Sequence, residues 1–157
     1  MKSTAHVGGH PIHPMLIAYP FALLSSAVVF DLGARKTASR AWSQTATHLT
    51  TAGLGSGLAA AVPGVIDYFG TVPPRTTARR SATLHALCNV SALACFAVST
   101  STRGPDRSLP KAGLALALLG TSLLSLGGWL GGQLVYREHI AVVDDQSPGR
   151  LRHAEEP

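Results

Sequence analysis

The sequence predicts an all-α integral membrane protein, a four-helix bundle with both termini on the same side. Three observations predict it. Charged residues make up only 13% of the 157 residues, roughly half the share in ordinary soluble domains. The charges fall in short arginine-rich blocks separated by four long apolar stretches. Each stretch is long enough, at about 1.5 Å per residue, to cross a hydrocarbon core of about 30 Å. A soluble bundle would instead carry charges along every helix face. The net charge is +5. Its basic residues lie in the loops and the tail, which points to a bilayer surface and away from nucleic acid.

Residues 1–13 form a His-Pro lead-in containing Gly9-His10-Pro11-Ile12-His13, with Pro14 next. A residue before proline is pushed out of the α region, so His10 and His13 are expected on a stiff extended segment. Pro14 suits the first turn of a helix. Helix one is expected from about Pro14 to Gly33, mildly kinked at Pro20. Its apolar run ends in Asp31 without a small-residue cleavage site, so it reads as a retained helix rather than a signal peptide.

Helix two is expected from about Gln44 to Gly70. Gly53 and Gly57 form a G-x-x-x-G pair for close helix approach, and Pro63-Gly64 is expected to interrupt its hydrogen bonding before Asp67. Helix three runs from about Ser81 to Ser101, with His85 and Asn89 on one face. Cys88 and Cys95 lie too far apart along this helix for a disulfide. Helix four runs from about Ala112 to Tyr136. It offers Gly127 with Gly131 and Gly128 with Gly132, and Trp129 and Tyr136 as interface anchors. Residues 14–136 thus make one transmembrane domain. The polar tail, residues 137–157, is expected to be largely disordered. Two similar hairpins suggest a weak twofold organisation, and no shorter repeat is apparent. Lys and Arg are shared almost evenly between the two sides, so the positive-inside rule does not choose an orientation.

The polar residues of the spans gather at one end. Asp67, His85 and Gln133 all fall roughly 5 Å below the same surface. His10 and His13 belong to that surface, and His139 follows helix four there. Ionisable groups inside a membrane are functional candidates by default. The bland alternative is a buried network of Asp67, His85, Asn89 and Gln133 that fixes helix register and binds nothing. Equal depth on either side of a short loop pairs Asp67 with His85, with His10 or His13 folded over them; Arg79 and Arg80 are the rival partners. One functional reading makes His10, His13 and His85 ligands of a transition metal, with Asp67 as ligand or supporting acceptor. A second makes His85 a ligand of b-type haem. A proton relay through Asp67 and His85 lacks polar steps beyond Asn89. At the opposite end Asp31 and His48 are expected to be solvated at the interface.

These motifs carry a resemblance. Gly9-His10-Pro11-Ile12-His13-Pro14 with Pro20 and Asp31-Leu32, then Asp67, His85 with Asn89, and Gly131-Gly132 before Leu134-Val135-Tyr136, resemble a bacterial membrane-domain family of unknown function, number 2231. The resemblance covers about Gly8 to Val143. It implies a four-helix membrane protein with no assigned activity. Some relatives carry this domain ahead of a Rieske iron–sulfur domain, which implies membrane redox chemistry nearby. Relatives often have His or Glu where this chain has Gln133, and a glycine-rich stretch where it has Glu138-His139-Ile140-Ala141. The expectation is an inner-membrane, multi-pass accessory or binding subunit with a His/Asp site. The alternative is a haem- or metal-bearing redox component. A membrane redox partner or a second copy of the chain would be its partner beside the lipid bilayer.

Overall fold

The computed structural model describes residues 2–141. Most of the polar tail lies outside them. Strands β1 (His6–Val7) and β2 (His10–Pro11) lead into helices α1 (Ile12–Leu16), α2 (Ala18–Thr37), α3 (Arg40–Gly70), α4 (Thr77–Ser101) and α5 (Lys111–Tyr136). Among the described residues, α1 and α2 together make the first of four spans long and apolar enough to cross a membrane; α3, α4 and α5 make the others. Helices are the natural solution here, because hydrocarbon offers backbone N–H and C=O groups no partners. The same demand reaches side chains. Thr47, Thr50 and Thr51 each donate to the carbonyl four residues back in α3, at 2.8–3.0 Å.

Proline explains the broken first span. Pro20 has no N–H to offer the carbonyl four residues earlier, that of Leu16, and α1 ends at Leu16. The start of this span differs from the expectation. His13 lies inside α1, one residue past its start, and is not extended. Packing overrides the pre-proline bias there, whereas His10 keeps it in β2. Pro63 also differs: α3 runs through it without a break. The two lead-in strands pair as a hairpin, His6 with Pro11 and Val7 with His10. Gly8 and Gly9 form its two-residue turn with φ of 57° and 83°, the positive values that such turns require.

Each helix packs most closely on its hairpin partner, α2 with α3 and α4 with α5; contact across the seam between hairpins is thinner. The core fills that seam. Leu24 and Val28 of the first hairpin meet Ala92, Phe96, Ala117 and Leu124 of the second. Leu24 and Phe96 are the two largest fully buried side chains.

The hairpins are copies of one pattern. Leu24 lies over Gly53, and Phe96 lies over Gly120. His13 lies over Gly64, and His85 lies over Gly131. The buried residues Thr50, Gly53, Gly57, Ala60 and Pro63 of α3 correspond at one constant offset to the buried Ala117, Gly120, Leu124, Gly127 and Leu130 of α5. The weak twofold organisation is therefore a hairpin-length repeat. Parallel repeats of this kind are related by an axis along the membrane normal.

Both ends of the seam are closed by polar groups. At one end Asp31 takes both terminal nitrogens of Arg103, at 2.7 Å each. These residues are 72 apart in the chain, as are Leu24 and Phe96, and His13 and His85. Asp31 and Arg103 are 3% and 6% exposed. Asp31 is therefore buried and paired, rather than solvated beside His48, because Arg103 folds back from the loop after α4 to reach it. The other end carries the histidines.

Candidate functional site

Two imidazoles face each other across the seam. His13 comes from α1, and its Nδ1–H donates to the Ala60 carbonyl at 2.8 Å. His85 comes from the second turn after the start of α4, and its Nδ1–H donates to the Gly127 carbonyl at 2.8 Å. A carbonyl oxygen only accepts, so each bond fixes the proton on Nδ1 and leaves the lone pair of a neutral ring on Nε2. The ring centroids are 5.9 Å apart and the planes meet at 88°.

Close backbone approach makes this possible. A Cβ on Gly64 would stand 2.9 Å from His13 Nδ1, and one on Gly131 would stand 3.0 Å from His85 Cε1. Each ring therefore lies in the space that a side chain would fill. Asn89 holds the second ring from its own helix. Its Nδ2 donates to the His85 carbonyl at 2.8 Å and lies 3.3 Å from both ring nitrogens. The same amide is therefore within hydrogen-bond distance of His85 Nε2.

Asp67 is not part of this pair. Its carboxylate accepts from Ser3 Oγ at 2.7 and 2.8 Å, from the N–H groups of Thr4 and Ala5 at 2.8 and 3.0 Å, and from Thr71 Oγ1 at 2.9 Å. These bonds strap the chain start over the end of α3. The expected pairing of Asp67 with His85 is replaced by this strap, because equal depth does not set the direction in which a side chain leaves its helix. The arginine rivals do not take Asp67 either. Arg79 donates to the carbonyls of Tyr68 and Val72 and stacks 3.7 Å from the Tyr68 ring centroid. Of the expected clamp, only His13 reaches His85. His10 stays exposed in β2.

Gln133 lies apart from Asn89. It lines a shallow cavity of about 290 Å³ with Trp129, Gly132, Tyr136 and Arg137. A second cavity of the same volume lies at the Asp31 end, between the start of α3 and the loop after α4. No histidine lines either one, so neither offers a haem pocket at His85. Among the described residues, no group of three or more His, Cys, Asp or Glu side chains is placed to hold a metal ion. Of His10, His13, His85 and Asp67, the structure brings together only His13 and His85. After α5 the chain turns back: the Ile140 N–H donates to the Leu134 carbonyl at 2.9 Å. Ile140 then packs with Val72, Ala78 and Ala82 beneath the strap end of the bundle.

The family model described as a predicted membrane protein, DUF2231, matches residues 9–144. No curated protein and no solved structure matches the chain.

Proposed function

The chain belongs to the DUF2231 family of predicted membrane proteins, and from that premise we propose that it is a multi-pass binding subunit of the inner membrane whose site is the His13–His85 pair. The ligand is a transition-metal ion. One observation carries this reading. Two imidazoles from different hairpins face each other at 5.9 Å, each with Nδ1 anchored on a backbone carbonyl. Metal-ligating histidines characteristically donate the other ring N–H to a carbonyl or carboxylate, which fixes the tautomer and orients the ring. A purely structural histidine needs one partner. Two rings anchored alike, with centroids 5.9 Å apart, suit a shared ligand. Asp67 supports the site indirectly, by strapping the lead-in that carries His13.

The test is metal content. Purified protein, loaded with candidate ions and freed of excess, is expected to retain about one ion per chain. His13→Ala and His85→Ala are each expected to abolish retention, and His48→Ala to leave it intact. Equal retention by all four proteins would refute the assignment. An absorption spectrum of the same sample is expected to lack haem bands. A Soret band lost in His85→Ala would favour the haem reading instead.

A further inference from the structure

We infer that the ion held by His13 and His85 is monovalent copper, bound between the two imidazoles on the pseudo-twofold axis. The inference rests on the reading of the pair as a metal site and specifies the ion. The donor set is the first argument. It comprises two imidazoles whose Nδ1 atoms are held on the carbonyls of Ala60 and Gly127, which leaves Nε2 as the donor atom of each; the Asn89 amide lies 3.3 Å from that of His85. The nearest carboxylate in the expected set, Asp67, has its oxygens occupied by Ser3, Thr4, Ala5 and Thr71. Cys88, one turn beyond His85, joins no ligand group among the described residues. Zinc takes four protein or water ligands, and divalent nickel and iron take four to six. A d¹⁰ monovalent copper ion is satisfied by two.

Charge is the second argument. The pair brings no negative group to neutralise the ion. The cost of placing an ion in a low-dielectric site rises with the square of its charge, so a divalent ion is penalised about four times as heavily as a monovalent one. Two neutral donors in a membrane bundle therefore select the lower charge.

Symmetry is the third argument. His13 and His85 occupy equivalent positions in the two hairpins, over equivalent glycines, Gly64 and Gly131. An ion on the axis between them meets identical donors from opposite sides, which is the arrangement a two-coordinate ion requires. The separation fits. Metal–nitrogen bonds of about 2.0 Å place two imidazole centroids on opposite sides of one ion roughly 6 Å apart, and the rings here are 5.9 Å apart.

The experiment uses the full chain in detergent under anaerobic, reducing conditions. Cu(I) is titrated in competition with a chromogenic Cu(I) chelator, and Zn(II) and Ni(II) uptake is measured by equilibrium dialysis. The expected result is one Cu(I) per chain, weakened about 100-fold or more in His13→Ala and in His85→Ala, with no histidine-dependent uptake of Zn(II) or Ni(II). X-ray absorption of the copper-loaded wild-type chain is expected to show two nitrogen neighbours, a readout that does not depend on the variants folding. Histidine-dependent Zn(II) or Ni(II) binding as tight as Cu(I), or a shell of four ligands, would overturn the monovalent assignment and leave the metal site standing. No histidine-dependent uptake of any of the three ions would overturn both.

Discussion

Asp31 and Arg103 show how a single residue pair holds the seam. A two-pronged ion pair, 3% and 6% exposed, costs much desolvation to form, and more if only one partner is left. Arg103→Ala is therefore expected to destabilise the protein by about 3–5 kcal/mol. The double variant Asp31→Leu/Arg103→Met is expected to recover most of that loss, because two apolar groups leave no buried charge. Thermal unfolding in detergent checks both; a double variant as unstable as the single would contradict the explanation. Asp67 plays a comparable part at the other end. Asp67→Ala is expected to release the strap, with the Thr4 and Ala5 amides losing about 1–3 kcal/mol of hydrogen-exchange protection. Unchanged protection at these amides would contradict the strap. At this scale the sequence was legible only in part. Depth along a helix follows from residue count, so the end that holds Asp67 and His85 could be read. Azimuth does not follow from it, so their partners could not. Nothing local in the sequence marks Ser3, Thr4 or Arg103, because their partners Asp67 and Asp31 lie far away in the chain.

The helices themselves were legible because hydropathy and length dictate them, and the late spans end where composition says they should. The first turns were less so. α3 begins at Arg40 and α4 at Thr77, each about a turn before the expected start, because helices extend past the apolar run into their basic loops. Gly53, Gly57, Gly127 and Gly131 are sites of close approach as expected, whereas Gly128 and Gly132 have nothing nearer than 4.0 Å and are not; what approaches the first four was not evident. Gly53 and Gly57 receive Leu24 and Leu93, while Gly127 and Gly131 receive Asn89 and His85. That distinction yields a prediction. Gly64→Ala and Gly131→Ala push a methyl to 2.9 and 3.0 Å from imidazole atoms. Each is expected to cost about 1–3 kcal/mol through overpacking and to displace its histidine. Gly55 has nothing within 4 Å of the same position. Gly55→Ala is expected to be neutral or stabilising by up to about 1 kcal/mol, from helix propensity alone. Unfolding measurements that rank the three variants otherwise would refute the packing assignment.

For the whole molecule, the spans require detergent for extraction, and carbonate or high salt is expected to leave the chain in the membrane pellet. How the spans associate is the sharper question. Lipid tails are as apolar as leucine, so hydrophobic burial does not drive helices together in a bilayer; packing and polar contacts do. Here those contacts are unevenly distributed. They are dense within each hairpin and thin across the seam. The seam depends on the Leu24–Phe96 core, the histidine pair and the Asp31–Arg103 bridge. Two repeats with this division of contacts behave as two units that meet at a few strong points. A chain cut between Pro73 and Pro74, with its two hairpins expressed together, is therefore expected to reassemble and co-purify. The connecting loop raises only the effective concentration of one hairpin near the other, by an amount on the order of millimolar for a short flexible link. Arg103→Ala in the second fragment removes a seam contact that the loop no longer backs up. It is expected to reduce co-purification at least tenfold, a smaller effect than the full loss of a buried pair. If the wild-type fragments never associate, the hairpins are not independent units. If Arg103→Ala fragments associate as well as wild type, the seam is held elsewhere.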